Sequence, residues 1–341
     1  MKIQLFIAVR DSDYMEHLSR VLLSKHADSF EVSVCSSLEL FSDMMERHIY
    51  DVAILDADFF DAVGNVSVHL PLLLWSGSEN VSVQTKGIKK LRKYQRISEI
   101  VRQILAWYAE ISDQGQKFGD KDARITVIWS PIGGSGKTTT ALAYAAYLTG
   151  QGKKTVYLDL EPFSSSPAYF GGQGPGLSDI FEKIQDGNVG LMLKSIRMED
   201  SESGIFYFNR PNNYEDIAIL TAEDISVLIR GAATGADEVI ADLGSAFDAK
   251  IRQAMELSDQ ILLVTDSSPV SQVKYEQFRA QHSLYGQITD KLTIVANRGA
   301  SHSVIADENI NVIVLPVVQS QKPSVVYKTL SGYFRQLAGK K

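Results

Sequence analysis

The chain has 341 residues, enough for two domains and too many for a single small module. Hydrophobic residues make up 45% and charged residues 22%, so the chain can bury real cores and is not disordered as a whole. A net charge of -7 argues against broad nucleic-acid binding through phosphate neutralisation, and the single cysteine, Cys35, excludes an intramolecular disulfide and a multi-cysteine zinc site.

Met1 to Val9 holds one lysine and a short apolar run that stops at Arg10 and Asp11, too brief for the core of a secretory leader. The longest apolar runs, such as Leu70 to Trp75, fall far short of the roughly 20 residues a membrane-spanning helix needs. A cytoplasmic, soluble protein is expected.

In the first half, β-like runs at Ile3–Val9, Glu31–Val34, Val52–Leu55 and Leu70–Trp75 alternate with helical patterns at Tyr14–Ser24, Leu38–Arg47 and Ile97–Ile111. That alternation predicts an open parallel sheet. Asp11 and Asp13 follow the first strand, Asp56 ends the third, Ser76 ends the fourth, and Lys93 precedes the last helix. In that order they resemble the acidic pair, phosphoacceptor, hydroxyl and lysine of response-regulator receiver domains. The resemblance implies clustered carboxylates that hold Mg²⁺ and Asp56 as phosphoacceptor. Two departures count against that chemistry: the run from Asp56 to Ser76 is short for a full crossover helix, and Tyr94 follows Lys93 where receivers carry proline. The expectation is an atypical receiver-like, flavodoxin-like domain over residues 1–115 for targeting or partner binding, with phosphorylation at Asp56 as the alternative.

Lys86, Lys89, Lys90, Arg92, Lys93, Arg96 and Arg102 form the most basic stretch. It reads as a solvated helix face, with a docking surface for an acidic partner or a membrane as the sharper alternative. Ser112 to Asp122 is polar, contains glycine and lacks apolar periodicity, so residues 116–123 read as a linker.

Residues 124–341 begin with a strand at Ile125–Trp129, a glycine loop, a helix at Thr138–Leu148 and a strand at Thr155–Leu160. Further strands are expected at Glu238–Ala241, Gln260–Val264, Leu292–Ala296 and Val312–Leu315. These runs are short and β-branched with little alternation, as strands covered by helices on both faces should be. The fold class is therefore α/β throughout, with a second, mostly parallel sheet.

The strongest chemical signal is Ser130-Pro-Ile-Gly-Gly-Ser-Gly-Lys-Thr-Thr139, placed between a strand and a helix. Backbone N–H groups converging at a helix N-terminus bind phosphate, and Gly133, Gly134 and Gly136 give the backbone that freedom. Lys137 supplies charge for the β- and γ-phosphates and Thr138 a hydroxyl for Mg²⁺, with Ser135 and Thr139 in the same cradle. Glu238-Val-Ile-Ala-Asp242 ends a buried strand with the carboxylate expected to hold Mg²⁺ through water; a loop-capping aspartate is the plainer reading. Gly244 would let the next loop respond to a γ-phosphate. ATP and Mg²⁺ are the expected cofactors.

The loop resembles the Gly-Gly-x-Gly-Lys-Thr-Thr loop of the MinD/ParA ATPases. In that family a lysine precedes the paired glycines and reaches the neighbouring subunit's phosphates; here the position holds Ile132. The departure implies retained binding and slow or absent hydrolysis. Val156-Tyr-Leu-Asp-Leu-Glu-Pro162 resembles the family's Asp-x-Asp-Pro strand end, which implies Asp159 near the metal and Glu161 in place of the acid that orients water. Lys137, Asp159 and Glu161 are thus the catalytic candidates, and Thr138, Asp159 and Asp242 the metal candidates. Thr293-Ile-Val-Ala-Asn-Arg298 resembles the segment whose Asn reads adenine, which implies roles for Asn297 and Arg298, with Leu315 and Pro316 at the neighbouring backbone contact. Ala300 stands where guanine recognition needs an acid, and Asn297 as a plain turn former stays open.

The tail from Pro323 carries Val326, Leu330, Tyr333, Phe334 and Leu337 at helical spacing and ends in Gly-Lys-Lys. Packing on its own sheet is expected, with a membrane helix of the MinD kind as the alternative. A receiver-like module joined to a MinD/ParA-like ATPase without the second lysine resembles the TadZ/CpaE group of pilus-assembly proteins. This resemblance implies an ATP-bound homodimer that helps place a Flp/Tad type IV pilus apparatus at a cell pole, with inner-membrane assembly proteins as partners and peripheral membrane contact left open. A MinD/ParA-type ATPase cycling on membrane or DNA is the alternative.

Overall fold

The computed structural model describes residues 2–27, 29–62, 68–77, 88–111, 123–181, 184, 189–299 and 310–338. The chain divides into two compact units, one of Met1–Asp120 with Asp186–Ser195 and one of Lys121–Gln185 with Ile196–Lys341. The expected linker falls mostly outside the described residues, as do Lys86, Ala300 and the terminal Gly-Lys-Lys.

The first unit runs β1 (Ile3–Ala8), α1 (Ser12–Lys25), β2 (Phe30–Cys35), α2 (Leu38–Arg47), β3 (Tyr50–Leu55), α3 (Ala57–Ala62), β4 (Val68–Trp75), β5 (Lys89–Arg92) and α4 (Ile97–Ile111). Its five strands are all parallel in the order β2-β1-β3-β4-β5, the flavodoxin-like order of a doubly wound sheet. Leu5, Phe6, Ile7 and Ala8 are completely buried, as a central strand covered on both faces requires. Phe6 stacks on Tyr50 at 4.7 Å and Phe41 lies 5.2 Å from Phe59, so α2 and α3 close one face of the sheet through aromatic contact. Among the described residues, the short run after Asp56 holds the six residues of α3.

The basic stretch needs correction. Lys89–Arg92 is an edge strand and not a helix face, with Leu91 buried between charged neighbours. One inward apolar residue flanked by charges is the period-two pattern of a strand, and lysines on an edge discourage pairing with another chain. Lys89 and Lys90 lie over the rings of Trp107 and Trp75 at 5.4 and 5.8 Å. Only Arg102 of the stretch lies within α4, where it pairs with Glu99.

The second unit opens with β6 (Arg124–Trp129), α5 (Lys137–Gly150) and β7 (Thr155–Asp159), followed by short elements: α6 (Ser178–Phe181), then, after α7 (Val189–Ile196), which up to Ser195 falls in the first unit, β8 (Met198–Glu199), β9 (Phe206–Tyr207) and α8 (Tyr214–Ala218). Then come α9 (Ala222–Ala232), β10 (Glu238–Asp242), α10 (Ala249–Leu257), β11 (Gln260–Thr265), α11 (Pro269–Arg279), α12 (His282–Ile288), β12 (Leu292–Ala296), β13 (Asn311–Val314), α13 (Pro323–Ser331) and α14 (Arg335–Ala338). The strand order is β13-β12-β11-β6-β10-β7-β9-β8, parallel except where β8 meets β9. β6 and β10 sit side by side at the centre, so the loop after β6 and the acid at the end of β10 meet at one edge.

Small residues let α5 lie close to its neighbours: Ala141, Ala143 and Ala145 are completely buried. The tail helix α13 packs on α5 in the core. Tyr327, Leu330 and Phe334 are buried with Tyr144 of α5, whose ring lies 5.2 Å from Phe334. Tyr333, placed on the apolar face by spacing, is 39% exposed, whereas Tyr327, which the spacing passed over, is the most deeply buried tyrosine of the tail.

Candidate functional site

The phosphate loop follows from backbone geometry. Gly134 and Gly136 hold φ of 71° and 96°, left-handed values that a residue with a Cβ adopts only under strain. Gly136 is also the N-cap of α5, and a Cβ there would lie 2.3 Å from Asn297 Nδ2. Asn297 in turn donates to the Ser135 carbonyl at 2.8 Å and accepts from the Arg298 N–H at 2.9 Å. The asparagine thus clamps the loop from below.

Lys137 is buried, and its Nζ donates to Ser245 Oγ at 2.9 Å and lies 3.2 Å from Glu161 Oε1. Ser245 Oγ reaches the Ile132 carbonyl at 3.3 Å. One cation therefore joins three segments: the loop after β6, the end of β7 and the loop after β10. The side chain of Ile132 is buried rather than turned outward. Lys274 of α11 also reaches the loop, its Nζ donating to the Pro131 carbonyl at 3.4 Å.

The strand-end acids meet through register, since Asp242 of β10 pairs with Asp159 of β7. Asp159 accepts from the Glu161 N–H at 2.9 Å and from Ser164 Oγ at 2.5 Å. Burial pushes its pKa up to about 6 in spite of those donors. Asp242 is completely buried, and burial reinforced by the charges of Asp159 and Glu161 raises its pKa well above the usual carboxylate range. Its Oδ2 accepts from Tyr157 Oη at 2.9 Å, while Oδ1 has no hydrogen-bond partner. An orphaned carboxylate oxygen next to a second buried acid is an arrangement that a cation would relieve. Among the described residues no three His, Cys, Asp or Glu side chains form a cage for a metal. Mg²⁺ takes one or two carboxylates and completes its shell with phosphates and water. Thr138, at the start of α5, lies near enough to Asp242 to offset a little of its burial.

At the far side, Arg298 carries the one left-handed φ of a non-glycine among the described residues, 58°. Such strain persists where surrounding contacts enforce it: its guanidinium donates to the Gly134 carbonyl at 2.8 Å and lies 3.5 Å from Asp266. Leu315 is buried, its N–H donating to the Ala296 carbonyl and its carbonyl accepting from Gly299 N–H; Pro316 has no N–H to offer. Gly133, Ser135, Thr138 and Thr139 stay grouped at the loop, and Thr139 Oγ1 is 3.1 Å from Tyr169 Oη.

In the first unit, the receiver-like residues are engaged with each other and with their own backbone. Asp11 caps α1 and pairs with Lys93 at 2.9 Å, and that hydrogen bond holds its carboxyl below the usual range. Lys93 also lies over the rings of Tyr14 and Tyr94 at 5.1 and 5.4 Å. Asp56 accepts from the Arg10 N–H at 2.7 Å and the Phe59 N–H at 3.3 Å, as a cap of α3. Lys93 is thus committed to Asp11.

Ser245, Ser164, Lys274, Asp266 and Tyr157 were not among the sequence candidates. Only Tyr157 leaves a trace, as a tyrosine within the apolar run Val156–Leu158, two residues before Asp159.

A family model described as the CobQ/CobB/MinD/ParA nucleotide binding domain matches residues 126–312. No curated protein matches the chain. Among solved structures, a ParA family ATPase from Chlorobium tepidum is similar at 22% identity and a TM-score of 0.51, over 65% of this chain and 94% of that one. The Aquifex aeolicus MinD cell division protein is similar at 14% identity and a TM-score of 0.50, over 64% and 98%. The Pyrococcus horikoshii septum site-determining protein MinD, solved with Mg-ADP, has 17% identity and a TM-score of 0.48 over 64% and 98%.

Proposed function

The chain belongs to the CobQ/CobB/MinD/ParA nucleotide-binding family, and from that premise we propose that it is an ATP-binding localisation factor, a homodimer with slow or absent hydrolysis. Residues 124–341 bind the nucleotide, residues 1–115 address a partner, and 116–123 join them. The cargo is a Flp/Tad type IV pilus apparatus at the cell pole, a reading that rests on the resemblance of the combined modules to the TadZ/CpaE group. Among the described residues no helix is long and apolar enough to cross a membrane, so contact with inner-membrane assembly proteins would be peripheral.

In this reading the N–H groups from Gly133 to Thr139 cradle the phosphates and Lys137 leaves Glu161 to meet them. Thr138, Asp159 and Asp242 hold Mg²⁺, which when bound offsets phosphate charge. Asn297 and Arg298 brace the loop and, with Leu315 and Pro316, face the base. The observation that carries slow turnover is Ile132, buried where the MinD/ParA pattern has a lysine. Without that cation, charge on the transferring phosphoryl group is less well met. Glu161 also has a longer arm than the aspartate of that pattern, which alters its reach toward a water.

The test is the nucleotide that co-purifies with the full chain. Retained ATP after incubation with Mg²⁺ supports a static switch, and ordinary ATPase turnover lost in Lys137→Ala overturns it. Polar foci of a fluorescent fusion that vanish in Lys137→Ala support the localisation part, and foci independent of that lysine count against it.

A second reading, an ATPase cycling on membrane or DNA, is favoured by Lys274, whose ammonium at the Pro131 carbonyl brings a cation to the loop's mouth. It predicts partner-stimulated turnover, and steeply salt-dependent binding if DNA is the track.

A further inference from the structure

The carboxylate most in need of a fixed orientation is Asp242, buried beside a second acid, Asp159, at the strand ends. It is completely buried; Tyr157 Oη donates to its Oδ2 at 2.9 Å, Thr138 lies near enough to offset a little of its burial, and Oδ1 has no hydrogen-bond partner. A buried carboxylate with so few donors keeps its rotamer only as long as they are held in place. Tyr157 is held. Its ring is 1% exposed and lies 6.0 Å from Phe170, which stacks on Tyr207 at 4.1 Å with planes 12° apart. Register explains the contact, because Tyr157 pairs with Ile240 on the neighbouring strand, two residues before the Asp159 to Asp242 pair, and residues two apart in a strand share a face.

We propose that Tyr157 is a positioning residue for the metal: its hydroxyl ties down Asp242 Oδ2, which leaves Oδ1 aimed for a divalent cation at the nucleotide. The inference rests on the Mg²⁺ site described under the proposed function and adds the residue that orients its deepest acid. Partners of metal ligands of this kind contribute about 10–100-fold to metal affinity. Without the hydroxyl, Asp242 is free to turn, and the metal loses a ligand while the phosphate loop is untouched.

The experiment uses the full chain and a fluorescent ATP analogue, with Mg²⁺ titrated at fixed nucleotide. Tyr157→Phe is expected to raise the half-saturating Mg²⁺ concentration about 10–100-fold and to leave analogue binding in EDTA at the wild-type level. Unchanged Mg²⁺ half-saturation in the folded variant overturns the proposal. Phe170→Leu loosens the aromatic stack beside Tyr157 but keeps the hydroxyl, so its Mg²⁺ response should shift by much less than that of Tyr157→Phe; a shift as large would assign the effect to packing and defeat the proposal. In the Asp242→Asn background, where no buried charge is left unpaired, adding Tyr157→Phe should cause no further change, and a further loss would overturn the idea even if the single variant fails to fold. Wild-type chain that binds no analogue, or binds it without regard to Mg²⁺, would defeat the underlying site instead.

Discussion

The two units carry acids at the C-terminal ends of parallel strands, and there the likeness ends. In the first unit Asp11 and Asp56 are satisfied by Lys93 and by N–H groups from Tyr14, Arg10 and Phe59. In the second unit Asp159 and Asp242 are buried together, both with raised pKa, and Asp242 keeps one oxygen without a partner. Topology puts acids at the same place in both sheets. What separates them is whether the chain itself neutralises the charge: groups it leaves in need point to a ligand, and groups it satisfies act as caps and struts.

The sharpest way to break this contrast is Lys137→Ala, which should weaken ATP binding on the order of 100-fold, since a charge-assisted contact to phosphate is lost; calorimetric titration checks it. Lys93→Ala, the corresponding change in the first unit, should leave ATP binding unaltered.

The next effect is on pH. Asp159 has a folded pKa of about 6 against an ordinary 3.8, so the native state holds a proton that the unfolded chain has released. Stability is therefore fully present below about pH 4 and falls as pH rises through 6, by up to about 3 kcal/mol from this group. Thermal melting of the metal-free chain between pH 4 and pH 7 should show that slope, and Asp159→Asn should reduce it, Asp242, also raised, leaving the remainder. Added Mg²⁺ and ATP should recover stability above pH 6.

Gly136→Ala places a methyl group against Asn297 at a left-handed φ. It should cost roughly 2 kcal/mol in stability and loosen nucleotide binding, visible as a lower melting temperature and a weaker titration. The smallest effect belongs to Asp56→Asn, which should change stability by no more than about 1 kcal/mol and nucleotide binding not at all. Acetyl phosphate should fail to label Asp56 in the parent chain; stoichiometric labelling would erase the distinction between the units.

Much of this site was legible in the sequence because its chemistry is contiguous. Gly133 to Thr139 form a cradle within one loop, and Asp159 and Asp242 close strands whose apolar runs mark them as buried. Leu38–Arg47, Ile97–Ile111 and Leu292–Ala296 match their expected bounds, since each is a full periodic run with clear ends. What was not legible depends on which strands become neighbours. Tyr157 reaches Asp242, and Lys93 reaches Asp11 rather than Asp56, only once the sheet order is set. The strand Lys89–Arg92 hid behind its charges because a four-residue edge needs only one apolar anchor. Asn297 was read as a base contact, and its grip on Ser135 depends on the loop's three-dimensional path.

The packing of α13 against α5 bears on how the protein can be cut. The helix that begins with Lys137 and Thr138 has its back covered by Tyr327, Leu330 and Phe334. A chain shortened after Gln321 would uncover that back, and the loss would register as a nucleotide-binding defect although no residue near the phosphates had changed. Deletion mapping would then credit the tail with a role in ligand recognition that belongs to its role as a wall. Point changes on exposed tail positions such as Val325 and Tyr333 probe the outer surface of that wall while leaving it standing.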